Sequence, residues 1–174
     1  MKTTLPISIE QQQQVLLATT ATLQQVSERL NKTFDPIPVR FNLHGRAAGM
    51  YRVAQGGREI RYNPYLFAKY FDDNLANTVP HEVAHYVADL LYGWRSIKPH
   101  GVEWQALMRM LGAEPSVTCC YDMEGIPQRR QRRIEYHCGC RSHQLTAIRH
   151  NKIQRGQARY LCKECQSPLL LKRP

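Results

Sequence analysis

The residues with the plainest chemical potential are His81-Glu82-Val83-Ala84-His85, an H-E-x-x-H sequence. Side chains four apart on an α-helix share a face, so both imidazoles can converge on one zinc ion. Glu82 lies beside them without being a ligand. It is placed to take a proton from a water activated by the metal, and so to drive attack on a peptide carbonyl. A catalytic zinc takes three protein ligands and keeps one open position. The third is sought in Pro99-His100-Gly101-Val102-Glu103-Trp104. His100 is preferred, because the loop and Gly101 let its ring swing back to the metal. Glu103 is the alternative, although it also fits a first-turn carboxylate that complements a helix dipole. The competing structural explanation is a pair of helix histidines hydrogen-bonded in a core.

A second constellation lies near the C-terminus, in Cys138-Gly139-Cys140 and Cys162-Lys163-Glu164-Cys165. Two close cysteine pairs on opposing turns are the layout of a zinc ribbon, four thiolates around one structural zinc. Only one residue separates the first pair, which leaves His137 or His143 as substitute ligands, and Gly139 eases the tight turn. Disulfides are the competing explanation and suit a reducing cytosol poorly. Cys119-Cys120 has no partner pair nearby and reads as structural.

These residues need elements to hold them. Residues 8–33 read as an amphipathic helix opened by Ser8 with Gln11 three positions on, and carrying Val15, Leu16, Ala18, Thr19, Leu23, Val26 and Leu30 at helical spacing. Asp35-Pro36-Ile37-Pro38 stops it. Alternation over Val39, Phe41 and Leu43 predicts a strand. Ala47–Ala54 and Arg58–Tyr62 predict a hairpin around Gly56-Gly57, giving a small antiparallel sheet whose edge is able to align an extended peptide. Tyr65–Phe71 predicts a short helix. Leu75–Tyr92 predicts the helix that carries the H-E-x-x-H residues, with Pro80 marking a start near Asn77 or a kink and Gly93 a stop. Glu103–Leu111 is a further helix, and 113–135 shows no period. Asp89, one turn beyond His85, is either a group that orients that imidazole or, more simply, a solvent-facing carboxylate. Tyr62, Tyr86 and Tyr92 are oxyanion-donor candidates whose simpler role is packing.

Charge separates the chain into two regions. The net charge is +10. Residues 1–125 hold 12 Lys/Arg and 12 Asp/Glu, whereas residues 126–174 hold 12 and 2. The excess therefore lies wholly in the C-terminal part, which points to a polyanionic partner; a solvated basic face is the plainer alternative. Arg129, Arg130, Arg132, Arg133, Arg149, Lys152, Arg155 and Arg159 are the candidate nucleic-acid contacts, with Tyr136 and Tyr160 as candidate base-stacking rings. The stretch between the cysteine pairs, 144–160, alternates enough to predict short strands. No apolar run approaches the ~20 residues of a membrane span, and no apolar core of a secretion signal is present, so a cytoplasmic location is expected.

The H-E-x-x-H residues, the segment His100-Gly101-Val102-Glu103-Trp104 and the cysteine module together resemble the SprT-like metalloprotease family, related to the catalytic domain of Spartan-type DNA-dependent proteases. The resemblance spans roughly residues 10–171. It implies a minimal zincin-like fold, metallopeptidase chemistry, zinc at His81, His85 and His100, and Glu82 as the catalytic residue. The expectation is an α+β chain with a zincin-like domain at 1–125, a basic connector at 126–135 and a zinc ribbon at 136–174. It would hold one catalytic and one structural zinc, cleave protein or peptide substrates, and bind DNA, single strands favoured, through the basic segment. The alternative is a nucleic-acid-associated zinc protein with little proteolytic activity.

Overall fold

The computed structural model describes residues 3–54, 57–116, 120–128 and 132–172. Gly56, Cys119, Arg129 and Arg130 lie outside the described residues. The chain forms two units, Met1–Gln128 and Arg129–Pro174, each a mixture of helices and a small sheet. Among the described residues, no helix is long and apolar enough to cross a membrane.

The first unit opens with α1, Ile9–Leu30. Ser8 and Gln11 form a reciprocal capping box at its start, and Asn31, in the left-handed region, closes it before the prolines are reached. Val15, Thr19, Leu23 and Val26 make its buried stripe, while Leu16 is 41% exposed. Strand β1 is only Val39–Arg40, β2 is Gly49–Ala54 and β3 is Gly57–Tyr62. The sheet order is β1-β3-β2, with β1 parallel to β3 and β2 antiparallel to it. The expected antiparallel sheet is thus mixed. A long loop after Arg40 carries the chain across before the hairpin begins, so β1 meets β3 running the same way. The expected strand through Leu43 shrinks because its backbone leaves the ladder after Arg40, although Leu43 N–H still donates to the Tyr62 carbonyl at 3.1 Å and its side chain stays buried.

Pro64 begins α2, Pro64–Lys69, rather than merely ending a strand. It occupies the first turn, where its missing N–H costs nothing, and the Asn63 side chain caps the N–H groups of Tyr65 and Leu66. A short α3, Phe71–Asp73, runs into a π-turn at Asn74–Thr78 and then α4, Val79–Tyr92. The π-turn accounts for Pro80. Proline lacks a ladder N–H and its ring crowds the carbonyl four residues back, and the wider turn relieves both effects. Gly93, at φ +79°, ends α4, and α5 follows at Val102–Met110. Val79, Val83 and Val87 of α4 pack with the α1 stripe, Ile60 and Tyr62 of β3, and Trp104, Leu107 and Met108 of α5. Each such fully buried side chain contributes about 1.5–3 kcal/mol.

The second unit has β4, Arg133–His137, between β5, Ser142–Thr146, and β6, Leu170–Leu171, all antiparallel. Strand β4 begins inside the stretch expected to be connector, and Ile126 of that stretch is buried in the first unit. The expected strands of 144–160 are corrected in part: Ala147–Gln154 is a helix, α6, whose N-cap Thr146 side chain accepts from Arg149 N–H. The apparent alternation misled because Ile148 points outward, 67% exposed, while Leu145 is buried on β5.

One buried carboxylate ties the first unit's elements together. Asp89, expected at the solvent face, is 4% exposed. It accepts from the Tyr51 hydroxyl of β2 at 2.5 Å, Arg58 Nε of β3 at 2.7 Å and Trp94 N–H beyond α4 at 2.7 Å. Burial alone would push its carboxyl up. The Arg58 guanidinium, the Tyr51 hydroxyl and the Trp94 amide outweigh that and hold it below its ordinary value. Asp89→Ala strands a hydroxyl and an amide without an acceptor and should cost about 2–3 kcal/mol, read by urea unfolding. Because the lowered pKa belongs to the folded state, the contribution is present above the ordinary aspartate range and is lost as pH falls through the lowered value. The gap between wild type and Asp89→Ala should therefore narrow in acid.

Candidate metal centres

Helix α4 places His81 and His85 one turn apart, and the turn before α5 brings His100 to them. Their Nε2 atoms lie 3.1–3.2 Å from one another. Nitrogens about 2.0–2.1 Å from a tetrahedral ion are separated by about 3.3 Å, so the triad matches the face of a zinc site. The rings are kept neutral. Burial lowers His81 to about 4, aided by the charge of His100, and lowers His85 to about 3, aided by both neighbours; burial lowers His100 as well. Three neutral imidazoles aimed at one point are lone-pair donors in want of a cation. Glu103, the alternative third ligand, is not among the groups that come together.

The support beneath the triad was not singled out in the sequence. Trp104, fully buried, has its ring 4.7, 5.5 and 4.7 Å from the rings of His81, His85 and His100. Its Nε1 donates to the His81 carbonyl at 3.2 Å. The indole is thus both the floor of the site and a strut from α5 to the start of α4. An aromatic three residues after Gly101 was the available signal, but nothing in its spacing says which face it would take.

Glu82 points the other way around the helix, toward the hairpin. It is buried, and its Oε2 accepts from Tyr51 N–H at 2.5 Å. Burial raises its carboxyl to about 8, against the lowering effect of that amide. The approach requires Gly49: a Cβ there would lie 2.5 Å from Glu82 Oε1 and 2.8 Å from Thr78 Cγ2. Gly49 does not have a positive φ, so space rather than torsion imposes glycine. The oxyanion-donor candidates do not converge on the triad. Tyr62 is in the core with its hydroxyl 3.1 Å from Thr19 Oγ1, Tyr86 donates to the Asp35 carbonyl, and Tyr92 is half-exposed at the end of α4. Cys120, read as structural, is exposed and lines the cavity beside His81.

In the second unit the four sulfurs of Cys138, Cys140, Cys162 and Cys165 lie within 4.8 Å of one another, at separations down to 3.2 Å. All four cysteines are free. Sulfurs about 2.3 Å from a tetrahedral zinc stand about 3.75 Å apart, and Cys140 lies 3.7 Å from Cys162 and 3.5 Å from Cys165. Backbone amides favour thiolates on one side: those of Cys165 and Glu164 lower Cys162, and that of Ser167 lowers Cys165. Crowding by the other sulfurs, Cys138 first, raises Cys140. Full ionisation of the set needs a cation. His143 stands outside it, with Nε2 3.2 Å from Cys138 Sγ, where it can donate to the thiolate; His137 is exposed on β4.

The candidate nucleic-acid residues are distributed unevenly. Arg132, Arg133, Arg149, Lys152, Arg155 and Arg159 are exposed. The unit's described ion pairs use other cations, Arg141 with Glu164 and Lys172 with Glu135. Tyr136 is buried with its hydroxyl 2.9 Å from His150 Nδ1, so it packs the sheet rather than facing a base. Tyr160 is half-buried under the Arg149 guanidinium, 5.5 Å from its ring centre.

The family model described as SprT-like matches residues 19–127. Among curated relatives, Protein SprT of Shewanella oneidensis is 35% identical over 161 residues, covering 92% of this chain and 99% of the relative. Protein SprT of Salmonella arizonae is 36% identical, with 95% and 96% covered, and that of Pseudomonas savastanoi is 38% identical, with 84% and 87% covered. No solved structure gives a significant match. Metal analysis of the purified full chain should find about two zinc per molecule. His81→Ala should remove one of them and leave the other, and a single equivalent that survives that substitution contradicts the histidine site.

Proposed function

The chain belongs to the SprT-like family, and on that premise we propose that it is a zinc-dependent metallopeptidase with a zincin-like catalytic unit and a basic zinc-ribbon unit that holds nucleic acid. The observation that carries the reading is the triad of His81, His85 and His100 with the Glu82 carboxylate held on the hairpin side of the same helix. Bound zinc supplies a Lewis acid that polarises a carbonyl and acidifies water. The chain's own residues supply the rest. Trp104 fixes the three rings. Glu82, beside the two helix histidines, is the carboxylate placed to take a proton from water and to hand it to the departing amine. Tyr51 N–H and Gly49 set where that carboxylate stands.

Strand β2 is the edge of its sheet. Because Ile60 N–H faces the β1 side, the amides of Gly49, Tyr51 and Val53 turn away from β3; that of Tyr51 is taken by Glu82, which leaves those of Gly49 and Val53 for a substrate. An extended peptide laid along that edge passes directly over Glu82 and the histidines, which is the reading of the edge as a substrate rail. Glu82→Gln should retain zinc and melting temperature and lose proteolysis by about 10²–10⁴-fold. Gly49→Ala should also retain zinc but lose about 100-fold in kcat, because its Cβ displaces the carboxylate. Full turnover in Glu82→Gln contradicts the assigned role. No turnover in wild type, on free or DNA-bound protein, selects the non-cleaving alternative.

Association with nucleic acid is supported by Arg132, Arg133, Arg149, Lys152, Arg155 and Arg159, which are exposed and enter none of the unit's described ion pairs. Binding of this kind goes through phosphates, with affinity falling steeply with salt and depending little on sequence. Arg132 and Arg133, then Arg149 and Lys152, then Arg155 and Arg159, neutralised in groups alongside Arg129 and Arg130, should each lessen the slope of log affinity against log salt by roughly 0.7–0.9 for every phosphate no longer neutralised. A chain ending at residue 125 that binds single-stranded DNA as tightly as the whole contradicts the assignment.

A further inference from the structure

The cleft is not the same on its two sides. On one side of His81 and Glu82 is a cavity of about 640 Å³ with polar or small neighbours, Arg46, Thr78, Ser116 and Cys120 among them. On the other side, a groove of about 510 Å³ runs away from His85 and His100 between the β2 edge and the loop after α4. Tyr51 and Val53, which share one face of the strand, and Trp94, Ile97 and Pro99 of the loop line it, with Arg52 and Asp89 as its charged neighbours. Two of these are large apolar side chains left in water, Trp94 51% and Val53 38% exposed. Single exposed apolar groups are ordinary on a surface; a group of them converging on a metal centre is not.

The groove is also built rigidly. Asp89 lies in it and fixes both walls, taking the Tyr51 hydroxyl from the strand and the Trp94 amide from the loop. The Arg95 guanidinium covers one face of the Trp94 ring at 5.0 Å. The loop is braced further by Ser96 N–H to the Gly93 carbonyl and Gly101 N–H to the Lys98 carbonyl, both 2.9 Å. The outward amide of Val53 lies along this wall, so a peptide paired to the β2 edge would carry its side chains past Trp94.

We propose that this groove is a specificity subsite for a large apolar or aromatic side chain on the peptide residue flanking the bond to be cut, with Trp94 and Val53 as its specificity-determining residues. The inference rests on the metallopeptidase reading and deepens it: the substrates are extended segments that bear an exposed aromatic or branched apolar residue, as unfolded or locally opened proteins do. Continuity with the triad commits the groove to substrate rather than to a protein partner.

The test uses affinity as well as turnover. Two sets of short peptide hydroxamates, with the chelating group after or before a variable residue, carry Phe, Leu, Ala or Asp at that residue. Calorimetry on the zinc-loaded full chain gives their affinities. One set should bind its Phe and Leu members about tenfold or more tighter than Ala, with Asp weaker still, and Trp94→Ala and Val53→Lys should each bring the Phe-to-Ala ratio toward one. Equal affinities for Phe and Ala in both sets, a preference that survives both substitutions, or no binding by any member overturns the subsite. Preference in binding without hydrolysis of matching peptides upholds the subsite and overturns the peptidase reading. Hydrolysis with no preference does the reverse.

Discussion

Where Glu82 stands beside the histidine centre depends on how the β2–β3 hairpin is held against α4, and that is decided largely at Asp89. The helix can align two imidazoles unaided, because four residues bring the chain round to the same face. It cannot set the distance to a separate sheet. A carboxylate with three donors does so, since each donor comes from a different segment and each would be left wanting if the segment drifted. The amide of Tyr51 meets Glu82 because the hydroxyl of the same residue is anchored one helical turn and more away. Fixing one tyrosine at both its backbone and its ring makes the hairpin a rigid wall.

The two units solve the problem of positioning donors by different means. In the first, a continuous apolar core and a buried tryptophan carry the histidines, so the triad stands on packing. In the second, roughly forty residues with a small sheet and a single short helix bury little, and four sulfurs occupy the place a core would take. The donor types follow from this. Three imidazoles leave a fourth position of a tetrahedral ion open, whereas four thiolates fill all of them.

What could be read from the sequence was whatever depends on near neighbours along the chain. The Ser8–Gln11 box, the histidine pair, Gly93 as a stop and the cysteine clusters are all short-range patterns. What escaped was long-range. Asp89 looks like an ordinary surface carboxylate from its own helix, because its donors lie 31 and 38 positions upstream. The parallel seat of β1 is set by a loop's path, and the π-turn by a compromise between Pro80 and the helix on either side. The helix at Ala147–Gln154 was hidden by a polar, irregular pattern that a single capping threonine resolves. Tyr136 and Tyr160 looked alike beside their cysteines, but Tyr136 is buried on β4 and Tyr160 lies outside the strands, half-buried.

Gly49 has a consequence for how such a chain can change over generations. Its backbone lies in a region open to any amino acid, and the demand for glycine comes from the Glu82 side chain pressed against it and, behind that, the Thr78 methyl. Positions 49 and 82 are therefore bound to a common fate. While the glutamate is kept, any side chain at 49 is penalised by two neighbours; once the glutamate is lost, the larger part of that penalty goes and only the Thr78 methyl still resists. A glycine found opposite an intact glutamate is then a mark of that pressure, recorded at a residue that ligates no metal.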